Sequence, residues 1–111
     1  MTTLFQDRER AFEALFAREE EIRFRALVRR NRIIGTWMSR RLGLTNEEAE
    51  TYTRGLVEAV ASPVTDDALI ARLRTELTGR GLDAEAAEVP DLFLRAGAEA
   101  ARAVRAEDRA A

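Results

Sequence analysis

The sequence predicts an all-α protein, a four-helix bundle with an N-terminal arm, flexible or helical, that projects from the bundle. Ala, Arg, Glu and Leu dominate the 111 residues, and all four are good helix formers. No alternating run of β-branched residues indicates a strand. Apolar residues instead recur at intervals of three and four, as amphipathic helices require. Because 20 of the apolar residues are Ala, the expected core is thin and supports one small domain.

The first predicted helix is too long for the bundle to cover. Its apolar residues between Phe24 and Leu42 fall on one side, at about 100° per residue, and should pack into the bundle. An earlier apolar stripe precedes them: Phe5, Phe12, Leu15 and Phe16. A continuous helix over residues 7–41 would span about 50 Å, whereas the next two helices reach only about 25 Å. Residues 1–20 are therefore expected to extend beyond the bundle.

Two residues of the first helix carry specific expectations, Asn31 on its apolar face and Gly35 beside that face. Gly35 leaves room for a close neighbour. Asn31 is expected to be a hydrogen-bonded core residue that fixes the helix register, with a place in a binding pocket as the alternative.

Three further helices follow, each opened by a capping residue. Their predicted ranges are about 45–61, capped by Thr45 with Glu48; about 66–79, capped by Thr65; and from 83 onward, capped by Asp83. Pro90 should kink the fourth helix or split off its first turn, and the chain is expected to fray beyond Arg105. The predicted organisation is an arm over 1–20, a bundle over 21–107 and a frayed tail over 108–111.

The residue types that are absent exclude much enzyme chemistry. The sequence has no His, no Cys and no Lys, so all 18 basic residues are Arg. A Ser-His-Asp or Cys-His nucleophile, a His/Cys zinc site, a Schiff-base lysine and a phosphate-loop lysine are therefore excluded. Adjacent acidic pairs point in different directions on a helix. The sequence predicts a protein that is not an enzyme, with no catalytic residues, no metal site and no required cofactor.

Charge is segregated along the chain, although the net charge is only -2. Residues 22–43 carry seven Arg and no acid, whereas residues 44–111 carry 14 acids against eight Arg. Four arginines should project opposite the apolar stripe of the first helix, and Arg23, Arg30 and Arg41 widen the patch. These four form the candidate docking face: Arg25, Arg29, Arg32 and Arg40.

The docking face has two interpretations. In the first, it binds an acidic protein surface, nucleotide phosphates or nucleic acid. In the second, it is a solvated face whose arginines pair with acidic residues further along the chain. The negative net charge and the lack of a known binding module make nucleic acid the weakest of these partners. No glycine-rich phosphate loop is present, so weak adenine nucleotide binding has no motif to support it.

The uncovered apolar stripe predicts a contact of another kind. Such a stripe at helical spacing is typical of a helix that docks in a partner's groove, so residues 1–18 are interpreted as a binding arm. Alternatively, the arm folds back on its own bundle or frays, because short isolated helices are marginal in water. No apolar run approaches the roughly 18 residues that a membrane span needs, so a cytoplasmic protein without membrane insertion is expected.

Three blocks in the first half of the chain carry motifs. The first is Met1-Thr2-Thr3, Phe5 and Asp7-Arg8-Glu9-Arg10-Ala11-Phe12-Glu13. The second is Phe24, Ala26, Arg29-Arg30-Asn31, Ile33-Ile34-Gly35 and Trp37. The third is Leu42-Gly43-Leu44-Thr45, Glu47-Glu48-Ala49 and Tyr52. With these motifs the chain resembles the zeta subunit of alphaproteobacterial F-type ATP synthases, a small inhibitor of ATP hydrolysis.

The resemblance implies a mechanism. The arm would order as a helix on entering a catalytic α/β interface beside the rotor and would block rotation in the hydrolysis direction, while the bundle stays outside as a docking body. The implied partners are the alpha, beta and gamma subunits, on the cytoplasmic side of the complex, and the free protein is expected to be a monomer. The implied apolar anchors are Phe5, Phe12 and Phe16, and polar contacts are implied for Asp7, Arg8, Glu9, Arg10 and Glu13.

The chain departs from the family pattern within the arm. The family often has Lys where Leu15 stands and His-Asp where Arg18-Glu19 stand, so this arm is more apolar and has no imidazole that titrates near neutral pH. From the residues alone, the competing function is that of a small helical adaptor that binds an acidic partner or nucleic acid through the docking face.

Overall fold

The computed structural model describes residues 3–111, and over that range the chain is all α, with no strand. Met1 and Thr2 of the opening motif lie outside the described residues. The helices are α1, Leu4–Leu42; α2, Asn46–Glu58; α3, Asp66–Thr78; and α4, Asp83–Ala110. A 3-10 turn over Ala59–Ala61 follows α2. The predicted fold class is confirmed.

α1 is one continuous helix of 39 residues, and its first part is a helical arm that extends beyond the bundle. The arm does not fold back, because residues 3–21 are exposed and the first buried residue is Ile22. A capping box begins the helix: the Gln6 N–H donates to Thr3 Oγ1 over 3.2 Å, and the Thr3 N–H donates to Gln6 Oε1 over 3.1 Å. Gly43, with a φ of 67°, ends it.

The core forms where α1 packs against both α2 and α4, with α3 packed mainly against α4. All three residues of the predicted apolar stripe of α3 are buried in this core: Leu69, Leu73 and Leu77. The predicted stripe of α4 is buried from Ala86 to Val104. The overhanging arm makes the molecule long relative to this core, with extents of 67 × 27 × 23 Å.

Two expectations for α1 are confirmed where it meets α2. Gly35 lies so close to α2 that a Cβ at this position would be 2.5 Å from Thr53 Oγ1. Asn31 is buried, and its Nδ2 donates to the carbonyl of Leu56 over 2.7 Å. Because a buried amide without a partner is unfavourable, this hydrogen bond favours one register between the two helices.

Three positions differ from the sequence-based expectations. Asp83, predicted to cap the fourth helix, is instead its first residue, and the N-cap residue Leu82 forms no side-chain capping hydrogen bond. Phe24, predicted to pack into the bundle, is 49% exposed, because Ile22 rather than Phe24 is buried at this level of α1. α4 is not split at Pro90. Val89 and Leu92, on either side of the proline, are both buried, so core packing stabilises the helix on both sides of Pro90.

α4 also continues further than expected. Fraying was predicted beyond Arg105 and over residues 108–111, but the helix continues to within one residue of the end of the described chain. The reason is that this end of α4 pairs with α1: Arg105 donates to Glu19, and Asp108 accepts from Arg18.

Candidate functional site

Five large, exposed apolar residues lie together on the arm, the segment of α1 before Arg18. Their exposed fractions range from 56% to 81%, and they are Leu4, Phe5, Phe12, Leu15 and Phe16. Leu4 was not among the predicted site residues, although it directly precedes Phe5. A contiguous apolar stripe is unfavourable in water, and a groove on a partner would cover it.

The apolar stripe of the arm continues the buried face of α1. Residues 18 apart in an α-helix are about five turns apart and lie on the same side. Phe16 precedes the fully buried Ile34 by this interval, and Leu4 precedes the buried Ile22 by the same interval. The arm therefore presents the face of a core helix, with nothing in the described chain packed against it.

Charged residues accompany the stripe: Arg8, four residues from both Leu4 and Phe12, lies among its members, and the others lie beside it. Five of them are exposed and make no ion pair within residues 3–111: Asp7, Arg8, Glu9, Arg10 and Glu13. Since no intramolecular partner holds these side chains, they can pair with groups on another protein. Their individual roles remain predictions.

Two ion pairs with α4 mark the base of the arm. Arg18 Nη2 lies 2.6 Å from Asp108 Oδ1, and Arg105 Nη2 lies 2.9 Å from Glu19 Oε2. The hydrogen bond from Arg105 lowers the pKa of the Glu19 carboxyl. The paired residues are 90 and 86 positions apart, so helical periodicity gave no sign of them.

A carboxylate of α4 pairs with only half of the candidate docking face. Arg25 and Arg29 both form ion pairs with Glu107. Arg32 and Arg40 are exposed and form no ion pair within the part of the chain that the structure describes. The face thus contains two arginines paired with an acid from further along the chain and two whose charge is open to solvent.

Arg30, predicted to widen this face, is instead buried. Its terminal nitrogens donate to both carboxylate oxygens of Asp66, over 2.9 and 3.0 Å, and its Nε donates to Asn31 Oδ1 over 3.0 Å. The guanidinium also lies over the Phe93 ring, 5.1 Å from the centroid. The hydrogen bonds from Arg30 lower the pKa of Asp66. Arg30 therefore joins α1 to α3 and α4.

A groove of about 590 Å³ lies between α1 and α2, at the far end of the docking face. Arg32, Arg40 and Arg54 line it, together with Glu50. The Ser39 hydroxyl, also on its wall, is buried and has no hydrogen-bond partner among the described residues. Ser39 and Arg54 were not predicted as site residues, and only the packing of α2 on α1 brings them together.

No group of His, Cys, Asp or Glu within residues 3–111 could hold a metal ion, and no helix in that range is both long and apolar enough to cross a membrane. No curated protein and no solved structure matches the chain. The sequence model of one protein family, described as ATPase inhibitor subunit zeta, matches residues 1–103. Because this match includes the arm and nearly all of the bundle, the chain belongs to the ATPase inhibitor subunit zeta family.

Proposed function

We propose that this chain inhibits ATP hydrolysis by an F-type ATP synthase, by inserting its arm into a catalytic α/β interface beside the rotor. Its partners are then the alpha, beta and gamma subunits, on the cytoplasmic side of the complex. The observation that carries the proposal is the arm itself, a capped helix whose five large apolar residues all face solvent. Membership of the ATPase inhibitor subunit zeta family supports it.

A preformed arm suits insertion between two subunits. Because the helix is already capped and continuous with α1, binding orders little additional backbone and loses less free energy to conformational entropy. Phe5, Phe12 and Phe16 act as apolar anchors, each contributing about 2 kcal/mol when fully covered. A helix held at a subunit interface opposes the relative motion of those subunits that a rotary cycle requires.

The flanking charges then set the register of the inserted helix. Negative and positive charges alternate along the sequence at Asp7, Arg8, Glu9, Arg10 and Glu13. A partner surface with the opposite pattern of charges therefore accepts the arm in one position. Leu15 adds apolar area beside Phe16. The chain is on this view a regulator without a catalytic reaction or a required cofactor of its own, and it is a monomer when free.

The test is ATP hydrolysis by a purified alphaproteobacterial F-type catalytic sector. Full-length protein should inhibit, and protein that lacks residues 1–18 should not, because the apolar anchors are lost. None of residues 3–21 belongs to the core, so the shortened protein should keep its helical circular dichroism and its unfolding transition. The enzyme's own zeta subunit serves as the positive control. Full inhibition by the shortened protein would refute the role of the arm.

The competing function is an adaptor that binds through the docking face. It predicts that loss of the arm leaves partner binding unchanged, and that Arg40→Glu alone weakens it severalfold. Strong weakening of binding by salt would favour this alternative, because exposed charge pairs are screened.

Weak adenine nucleotide binding is a further proposal, for the groove between α1 and α2. The observation in its favour is the buried, unpartnered Ser39 hydroxyl beside Arg32, Arg40 and Arg54, since phosphate accepts from both groups. Titration of the isotope-labelled protein with ADP should shift the Ser39 amide resonance, and Arg40→Glu should remove the shift. No change with millimolar ADP would refute the proposal.

A further inference from the structure

A second groove, between α1 and the C-terminal end of α4, combines an apolar lining with a cationic one. Its volume is about 630 Å³. The apolar part consists of Phe24, Val28, Ile33 and Val104. The cationic part consists of Arg25, Arg29 and Arg32. This combination complements a helix that is apolar on one face and acidic at the edges of that face.

Phe24 is the first specific sign of a docking surface. It is a large aromatic residue that remains 49% exposed, although the buried face of α1 begins two residues earlier at Ile22. Aromatic residues that are partly exposed beside arginine are enriched at protein interfaces. The sequence pattern predicted a core position for this residue, and the structure places it in the groove instead.

Glu107 is the second sign. It is the only acidic residue among those that line the groove in the described chain, and it pairs with both Arg25 and Arg29. Its side chain is 51% exposed, so water and other carboxylates can reach the same guanidinium groups. Glu107 therefore occupies the position that a carboxylate from an acidic partner would take.

We propose that this groove docks an acidic amphipathic helix of the ATPase catalytic sector, and that the partner's carboxylates displace Glu107 from Arg25 and Arg29. The identity of the partner rests on the function proposed above. The groove is the part of the bundle that binds this partner. From Phe24 to Thr36 the groove follows α1 for about 18 Å, which matches about three turns of a partner helix.

The groove and the arm can be engaged together. Arg32 follows Phe16 by 16 residues, a rotation of about 160° around the helix axis, so the arginine side of the groove points away from Phe16. The groove also lies further along α1 than the arm, so a partner can contact both surfaces.

The experiment measures binding of the full chain to the immobilised, purified catalytic sector. Three single variants change the groove: Phe24→Ser, Arg32→Glu and Glu107→Gln. Each is compared with a separate control variant outside the groove, in the same order: Leu94→Ser, Arg102→Glu and Glu99→Gln. Leu94 is exposed like Phe24, and none of the three control residues lines the groove. Phe24→Ser and Arg32→Glu should each weaken binding about tenfold, and their controls should stay within about twofold of wild type.

Glu107→Gln should tighten binding about threefold, because it frees two arginines for the partner. A tightening cannot come from partial unfolding, so this variant separates docking from a structural role. Groove variants that bind as their controls do would overturn the docking proposal. If the wild type still inhibits in that case, the function of the arm stands. A wild type that neither binds nor inhibits would overturn the function itself, and with it the assignment of the partner.

The occupant can be identified directly because the chain contains no cysteine. Thr36→Cys places a single thiol in the groove for a photoreactive cross-linker. Cross-links to a helix of the catalytic sector rich in Asp and Glu support the proposal. Cross-links to a second copy of this chain, or to sector segments without acidic residues, overturn it.

Discussion

Arg30 of α1 and Asp66, the first residue of α3, form a two-point hydrogen bond that joins positions 36 apart in the sequence. The Arg30 side chain is only 10% exposed, whereas that of Asp66 is 59% exposed. Asn31 and the Phe93 ring complete the surroundings of the guanidinium. A buried cation requires such partners, so the position of α3 relative to α1 depends on this contact.

Asp66→Asn should lower the free energy of unfolding by about 1–2 kcal/mol, because it leaves Arg30 without its counter-charge. The expected loss is small because water can reach the exposed side of Asp66. Asp67→Asn is the matched control, since Asp67 shares the first turn of α3 but forms no ion pair within residues 3–111. Urea denaturation at neutral pH gives the difference. Equal effects of the two substitutions would show that the helix dipole, not Arg30, is responsible.

Gly35→Ala should destabilise the bundle by about 1–3 kcal/mol through overpacking, even though Ala is the better helix former. The added Cβ would lie 2.5 Å from Thr53 Oγ1, so α2 has to move away from α1. Gly55→Ala in α2 is the control, because a Cβ there has no neighbour within 4 Å. That control should stabilise the protein by about 0.5–1 kcal/mol. Urea denaturation compares the two, and a stabilising Gly35→Ala would contradict the close approach of α2.

The elements of this fold could be predicted because the signals for them are local. Thr45 and Glu48 lie within one turn of each other and mark the start of α2. Leu69, Leu73 and Leu77 define the buried side of α3 without reference to any other helix. The length of the arm followed from the same local argument, since α2 and α3 are too short to cover it.

The partners of the arginines could not be predicted, because they depend on how the helices are rotated against one another. Arg29 and Arg30 are neighbours in sequence, yet one pairs with Glu107 at the end of α4 and the other with Asp66 at the start of α3. The exposed position of Phe24 has the same origin. The capping box of Thr3 and Gln6 was not predicted, although its Thr-x-x-Gln pattern is local and could have indicated it.

Thr3→Ala should unwind the first turn of the arm and weaken inhibition severalfold, because it removes the cap that satisfies the Gln6 N–H. The expected loss is about 1 kcal/mol of local helix stability. Hydrogen exchange should speed up for the amides of the arm but not for those of the bundle core. Thr45→Ala removes the equivalent cap of α2 and serves as the control, which should lower bundle stability and leave exchange in the arm unchanged. Unchanged exchange in the arm of Thr3→Ala would refute a role for this cap.

Stability should be constant between about pH 6 and pH 8, because no side chain in the sequence ordinarily titrates there. Burial, reinforced by a hydrogen bond to Glu76, raises the pKa of Tyr52 and moves it further from neutrality. The carboxyls of Glu19, Glu48 and Asp66 have lowered pKa values in the folded protein. Their contribution is complete above their unfolded pKa values of about 4 and is lost as the pH falls through the folded values.

Urea midpoints measured from about pH 2 to pH 8 check this prediction, and Arg18→His gives it a positive control. The imidazole would lie beside Asp108, which accepts from Arg18 in the wild type. A histidine that gains such a partner has a raised folded pKa, so its contribution is present at low pH and is lost as the pH rises through that value. The variant should therefore lose stability between about pH 6 and pH 8, where the wild type stays constant. A wild type that itself changes over this range would show that a group other than an imidazole controls the fold.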